Sequence, residues 1–333
     1  MVRRYEIAMS RAILVHRFGG PEVLTAELTD VGAPGPHELL LRHTVVGLNF
    51  IDVYYRTGLY KPPQLPFVPG QEAAAVVQEV GAQVQGFAPG DRVAYAGGPL
   101  GAYAEHRIFP ADRVIKLPPG ISDETAAAMM LKGMTAQYLL RQTYAVKPGE
   151  TILFHAAAGG VGLIACQWAK HLGATVIGTV GSDAKAELAR AHGCDHVINY
   201  SRENFVERVL EITNGRKVSA VFDGVGRSTF DGSLDCLRPR GMMVLFGQSS
   251  GKVPDFDLGV LAAKGSLYVT RPSLFAYTAT REDLEACAGD LMRAVAAGHV
   301  HVPIGARHAL ADVQLAHQEL EARKTTGATV LIV

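Results

Sequence analysis

From Ser10 to about residue 108, short apolar runs alternate with glycine and proline: 12–16, 38–46, 73–80, 92–96 and 102–108, with Pro21, Pro89 and Gly90 between them. Runs of this length bounded by turn residues predict strands. Strands that follow one another without helical patterns predict a small, irregular β-barrel-like domain. The pattern changes at Leu117-Pro118-Pro119-Gly120. Ser122 and Thr125 allow a partial capping box for an Ala/Met-rich helix. Lys132-Gly133-Met134-Thr135 predicts a break into a further helix, 136–144, which Lys147-Pro148-Gly149-Glu150 ends. Beyond it, apolar strand runs at 152–154, 174–179, 196–200, 218–223, 242–246 and 266–270 are interleaved with helical patterns, including 184–191, 203–213 and 228–237. Six strands alternating with helices are the count of a doubly wound parallel sheet. The remaining residues predict helices at 281–297 and 311–323 and a strand at 329–333 that returns to complete the first domain.

Chemistry enters with the turn after residue 154, which reads Ala156-Ala157-Ala158-Gly159-Gly160-Val161-Gly162. Apolar residues at 161, 164, 165, 168 and 172 then mark an amphipathic helix that Gly173 stops. Strand, tight turn, helix and strand within roughly 30 residues form a βαβ unit that sets a helix N-terminus against a phosphate. Gly159 lets a pyrophosphate approach the backbone, and Gly162 allows helix to pack closely on strand. Ala157 holds the place of the first fingerprint glycine. A glycine turn alone is common between strand and helix, and the βαβ context is what favours a dinucleotide.

An NAD site places an acid roughly 20 residues after the glycines begin. Here the chain reads Thr179-Val180-Gly181-Ser182, without one. Lys185 and Tyr200 offer a cation and a hydroxyl to a 2′-phosphate, which favours NADPH over NADH. Asp183 suits an N-cap or first-turn acid; the alternative reading of Lys185 is a solvated helix lysine. Loops 223–226, 246–249 and 270–272, at the ends of successive strands, are expected to line the cofactor crevice.

The 333 residues, 48% of them hydrophobic, suffice for two domains with proper cores. Lys plus Arg and Asp plus Glu balance at 32 each, which leaves no footprint for nucleic acid or an anionic membrane. No apolar segment reaches the roughly 18 residues of a spanning helix, and the N-terminus lacks a signal-peptide core, so a cytosolic protein is expected. Cys166, Cys194, Cys236 and Cys287 are widely spaced and read as buried free thiols. Residues 1–9 precede a second possible start at Met9 and read as a tail or an overcalled start.

With the segments Gly47-Leu48-Asn49-Phe50-Ile51-Asp52 and Leu267-Tyr268-Val269-Thr270-Arg271-Pro272 added to the glycine turn, the chain from about Arg11 onward resembles the zinc-independent quinone oxidoreductases of the medium-chain dehydrogenase/reductase superfamily. The resemblance implies a Rossmann NADPH-binding domain (134–272), a GroES-like catalytic domain (1–133 and 273–333) and a homodimer paired along the edge 267–269. It also implies reduction of a quinone in the cleft between the domains. Asn49, Ile51, Asp52 and Tyr54 fall near the nicotinamide, with Phe50 in the same segment, and Tyr60 and Lys132 at the cleft. Tyr60 has two readings, a partner for the quinone or a loop ring packed on Pro62 and Pro63. Lys185, Tyr200 and Arg323 become the 2′-phosphate group, Arg323 reading alternatively as a helix C-terminal cation. Tyr138, Gly160, Val161, Gly181, Phe246, Ser249, Val269 and Arg271 line the rest of the cofactor. Where zinc-dependent relatives place Cys and His, this chain has Asn49 and Gln71, and its first 165 residues hold no cysteine, so no zinc is expected. A quinone demands little proton machinery, whereas alcohol oxidation requires a base or metal. The rival enzyme reading is reduction of α,β-unsaturated carbonyls. A rival of another class comes from relatives that are lens crystallins or bind AU-rich RNA, against which the neutral charge argues.

Overall fold

The computed structural model describes residues 9–333, so the expectation for residues 1–9 lies outside the described residues except at Met9. The chain divides into two compact units, one reaching to Leu131 and adding Thr278–Ala288 and Ile304–Val333, the other Lys132–Tyr277 with Gly289–Pro303.

Among the described residues, the first unit carries a seven-stranded sheet. Along its path run Ile304–Ala309, Ala328–Ile332, Glu38–Leu48, Glu72–Val80, Arg92–Ala96 and Ile115–Lys116, with His106–Pro110 also pairing Glu38–Leu48. Ser10–Val15 and Leu24–Thr29 form a separate antiparallel pair. Every second residue of the long strands faces one core, where Leu39, Leu41, Ala73, Ala75, Val93 and Tyr95 are buried together. The C-terminal strand lies antiparallel to Glu38–Leu48 with Val330 opposite Gly47.

The second unit holds six parallel strands in the spatial order His196–Asn199, Thr175–Val180, Thr151–Phe154, Val218–Asp223, Leu237–Leu245, Tyr268–Thr270. In chain order this is third, second, first, fourth, fifth, sixth, the doubly wound arrangement whose ligand crevice opens where the order reverses, beside the first strand. Leu153, Ile177, Ile198 and Val221 are buried in one cluster with Phe230 and Leu234 from the helix Phe230–Asp235.

Several elements differ from the sequence expectation: the strand expected at 242–246 begins earlier, as Leu237–Leu245, and the strands Leu24–Thr29 and Ile304–Ala309 were not expected. Lys132-Gly133-Met134-Thr135 does not break the helix, which runs Asp123–Tyr138 and continues as a π-helical turn, Leu139–Thr143. Gly133 is there for space, since a Cβ would stand 2.5 Å from Leu291 Cδ1. The strand expected at 102–108 is His106–Pro110, because Gly101 and Ala102 both donate to the Gly70 carbonyl and leave the ladder. Residues 50–56, for which no helix was expected, form the helix Phe50–Arg56.

Candidate functional site

The glycine turn has the form its spacing suggests. Gly159 is the N-cap of the helix Gly160–His171, and the first helical bond runs from the Leu163 N–H to the Gly159 carbonyl at 2.9 Å. The N–H groups of Gly160, Val161 and Gly162 therefore precede the ladder and point out of the helix end. A Cβ on Gly162 would meet the Ala156 and Ala157 carbonyl oxygens at 2.4 and 2.6 Å, so only glycine packs there; on Gly159 it would meet only the Ala156 oxygen, at 3.2 Å. The closed side behind Gly162 and the open side before Gly159 fit an approaching pyrophosphate. Ala156 adopts φ +54°, and the Ala157 N–H holds the turn to the second strand through the Thr179 carbonyl at 3.1 Å.

Beneath this edge lies a buried polar chain that sequence reading did not find. One oxygen of Asp223 accepts from the Val225 and Gly226 N–H groups at 2.7 and 3.1 Å. The other accepts from the Thr229 and Ser233 hydroxyls at 2.6 and 3.2 Å. The Ser233 oxygen lies 2.9 Å from His155 Nε2, and His155 Nδ1 lies 2.9 Å from the Thr179 hydroxyl. Because Ser233 spends its proton on Asp223, His155 donates from Nε2 and accepts at Nδ1. Burial holds the His155 pKa down, against the pull of the Asp223 charge. Ser, His and Asp meet here in the wrong order for a nucleophile, with serine in the middle and every member buried. The chain instead fixes the loop 223–226. Loop 246–249 leans on it, with the Phe246 N–H on the Asp223 carbonyl (2.8 Å) and the Ser249 N–H on the Gly224 carbonyl (3.2 Å). Two of the three expected carboxyl-end loops are thus brought together.

At the end of the second strand, Tyr200 is half exposed and its hydroxyl would lie 2.6 Å from a Cβ on Gly181. Ser182 caps the helix Asp183–Ala191, its oxygen accepting from the Lys185 N–H. Asp183 opens that helix, and its carboxylate takes the Asn199 amide at 3.0 Å and pairs with Arg202. The one acid in this stretch is therefore tied to a cation, a pairing that spacing alone did not disclose. Tyr138 stacks on Tyr277, ring centroids 4.5 Å apart. Val269 lies on the edge strand beside the exposed Tyr268, and Arg271 follows it, its guanidinium donating to the Pro272 carbonyl at 3.3 Å. Lys132 is buried in the same unit.

In the first unit the Asn49 segment is a short, heavily anchored turn. Asn49 is the N-cap of Phe50–Arg56, and its N–H donates to Asp52 Oδ2 at 2.9 Å. Its amide Nδ2 donates to Glu72 Oε1 at 2.8 Å, while Glu72 Oε2 takes the Leu131 N–H at 2.6 Å. Glu72 is fully buried, and Gly47 leaves room for it: a Cβ there would stand 2.3 Å from Glu72 Oε1 and 2.2 Å from the Ala127 carbonyl oxygen. Asn49 and Gln71 offer carboxamides rather than the thiolate and imidazole of a zinc site. Among the described residues, no three His, Cys, Asp or Glu side chains are grouped to hold a metal. Phe50, Tyr54, Tyr60 and Tyr55 form an aromatic run, with Tyr60 edge-on to Tyr54 at 5.2 Å and to Tyr55 at 5.7 Å. Ile51 is half buried beside them. Arg323 follows the helix Val313–Glu321 at φ +56°, in the first unit, whereas Lys185 and Tyr200 belong to the second.

The first unit matches the model of an alcohol dehydrogenase GroES-like domain over residues 35–119, and residues 160–290 match a zinc-binding dehydrogenase model. The whole chain is similar to a quinone oxidoreductase of Pseudomonas aeruginosa, 54% identical over 97% of this chain and 100% of the relative. A 2-haloacrylate reductase of a Burkholderia species is 46% identical over 97% and 99%. Among solved structures, Escherichia coli quinone oxidoreductase complexed with NADPH superposes with a TM-score of 0.95 at 51% identity, covering 97% of this chain and 100% of that one.

Proposed function

Because the chain belongs to the zinc-independent quinone oxidoreductases of the medium-chain dehydrogenase/reductase superfamily, we propose that it is an NADPH-dependent reductase of quinones. The observation that carries this reading is whole-length identity above one half to a quinone oxidoreductase, in a chain whose glycine turn has the space a pyrophosphate needs.

Bound NADPH supplies a hydride to the acceptor. The free N–H groups of Gly160, Val161 and Gly162 receive the pyrophosphate, with Gly159 leaving its path open. Lys185 and Tyr200 take the 2′-phosphate; Arg202 pairs with Asp183, which would otherwise repel that phosphate. Gly181, Tyr138, Phe246, Ser249, Val269 and Arg271 line the remainder of the cofactor, with Phe50, Ile51 and Asp52 toward its nicotinamide end. Asn49, Tyr54, Tyr60 and Lys132 face the acceptor, where a cation stabilises charge developing on its oxygen. The protein works in the cytoplasm as a homodimer paired through the exposed edge Tyr268–Thr270, which would otherwise be an aggregation hazard. No helix among the described residues is long and apolar enough to cross a membrane.

A second reading, reduction of α,β-unsaturated carbonyls, is favoured by the 2-haloacrylate reductase relative. Loss of NADPH absorbance with a small benzoquinone, beside an enal and an NADH control, decides between them. Rapid turnover of the quinone with NADPH alone supports the proposal. Turnover of the enal without the quinone moves the assignment to the second reading, and absence of NADPH binding refutes both.

A further inference from the structure

We propose that Tyr103 and His317, which no sequence signal marked, are positioning residues that hold the Asn49–Asp52 turn in its reactive shape. The inference rests on the reading that Asn49 and Tyr54 on this turn and helix meet the acceptor.

One short helix carries two opposite charges. Asp52 and Arg56 stand four residues apart on Phe50–Arg56, the spacing at which Asp and Arg ordinarily pair directly. Here two side chains from elsewhere in the first unit are inserted between them. Arg56 Nη1 donates to His317 Nδ1 at 3.0 Å, His317 Nε2 lies 3.0 Å from the Tyr103 hydroxyl, and that hydroxyl donates to Asp52 Oδ2 at 3.0 Å. Asp52, Arg56, Tyr103 and His317 are all fully buried. Arg56 is further fixed by the Gly19 carbonyl at 3.2 Å and by Glu321 at 2.7 Å.

Every proton in this ring has one possible place. A guanidinium only donates, so His317 Nδ1 must accept and the imidazole carries its proton on Nε2. That proton goes to the Tyr103 oxygen, which leaves the single tyrosyl proton for Asp52 Oδ2, the same oxygen that receives the Asn49 N–H. Burial and the adjacent Arg56 charge hold the His317 pKa down to about 3, so the imidazole stays neutral and the direction of the ring does not reverse at ordinary pH. The ring is also closed to proton traffic, because Arg56 cannot give up a proton to refill the histidine. What it transmits is position. Tyr103 fits only because residue 70 is glycine: a Cβ there, at φ +96°, would stand 2.4 Å from the tyrosine ring. The turn that presents Asn49 is thereby referenced to the helix Val313–Glu321, more than 260 residues later in the chain.

The test compares the full-length protein with Tyr103→Phe, His317→Leu and His317→Gln, measuring NADPH affinity, kcat and KM for benzoquinone, the pH profile of kcat, and Tm. Tyr103→Phe removes one hydroxyl from a fully packed ring and is expected to fold. Its kcat should fall by about tenfold to a hundredfold, the scale of a misplacement under an ångström, while NADPH affinity stays within about twofold. His317→Leu should match it. His317→Gln should recover most of the rate, because a carboxamide can accept from Arg56 and donate to Tyr103 at once. The kcat pH profile should keep its shape in every variant. A structural role alone would lower Tm while leaving kcat per NADPH-binding site unchanged, and that result overturns the proposal, as does equal behaviour of the Leu and Gln variants. A wild-type protein that turns over no acceptor refutes the functional reading and this inference with it; active wild type with unaltered variants refutes the inference alone.

Discussion

Two glycines three residues apart in the same turn should fail in different ways when each receives one methyl group. In Gly159→Ala the new Cβ meets only the Ala156 carbonyl oxygen, at 3.2 Å, and the backbone at φ −82°, ψ 173° is open to any residue. Stability of the unliganded protein should therefore stay within about 0.5 kcal/mol of wild type. The methyl nevertheless occupies the approach to the free N–H groups, so forcing pyrophosphate past it should cost ~1–3 kcal/mol, about tenfold to a hundredfold in the NADPH dissociation constant. In Gly162→Ala the Cβ would stand 2.4 and 2.6 Å from two backbone oxygens that cannot rotate away. Overpacking of ~1–3 kcal/mol is there offset in part by ~1 kcal/mol of gained helix propensity. The remaining loss should lower Tm, at roughly 2–4 °C per kcal/mol for a domain of this size, along with NADPH affinity. Thermal melts with and without NADPH, beside a fluorescence titration, measure both quantities. Gly159→Ala with wild-type NADPH affinity would refute the placement of the pyrophosphate, whatever Gly162→Ala does.

Lys185→Ala should weaken NADPH by about tenfold or more and leave NADH nearly unaffected, the signature of a lost charge-assisted bond to the 2′-phosphate; equal losses for both cofactors would remove Lys185 from that site. His43 is fully buried, with Nδ1 2.6 Å from the Ala104 carbonyl and Nε2 2.8 Å from the Tyr95 hydroxyl, and burial first, then the Arg107 charge, bring its pKa down to about 3. The unfolded chain binds the proton near pH 6.5 and the folded chain does not, so stability should fall as pH drops from about 6.5 toward 3, by up to ~1.4 kcal/mol per pH unit for this one group. Denaturant melts of His43→Gln at neutral and acid pH should show a shallower decline than wild type; an equal slope would deny His43 its share. Val269→Lys, on the exposed edge strand, should halve the mass seen by light scattering without unfolding the protein, and a wild-type monomer would dispose of the proposed dimer.

The nucleotide-binding half was legible because its signals are local. The strand 151–154, the glycines and the helix 160–171 fall in one uninterrupted stretch. Of the expected apolar stripe Ile164, Ala165 and Trp168 are buried and Val161 and Leu172 only partly, while Leu163, Cys166 and Ala169 outside it are buried as well, so the helix is covered on more than one face. Gly133 misled because a glycine in a helix reads as a break, when the cause lies in a leucine more than 150 residues away. The helix Phe50–Arg56 escaped because it is short and because its buried members include Asp52 and Arg56, which blur an apolar stripe. The rest of the Asn49 anchorage was illegible for a similar reason. Glu72, Tyr103 and His317 are far apart in sequence, and a lone histidine in a terminal helix carries no pattern that distinguishes it from a surface residue. Asp183 was ambiguous until Arg202, 19 residues on, was placed beside it.

The burial of all four cysteines has a consequence for chemical survival. Quinones are electrophiles, and a protein that gathers them from dilute solution exposes its own nucleophiles to arylation. The attacking species would be thiolate, and the fold withholds it: burial pushes the Cys236 thiol up to about 12, and the contact with Cys194, then burial, raise Cys166 well above the ordinary range. Incubated with excess benzoquinone, the folded protein should show no cysteine adducts by mass spectrometry, whereas the unfolded chain should take up as many as four. The packing that excludes water from these sulfurs thus also shields the protein from self-inflicted modification.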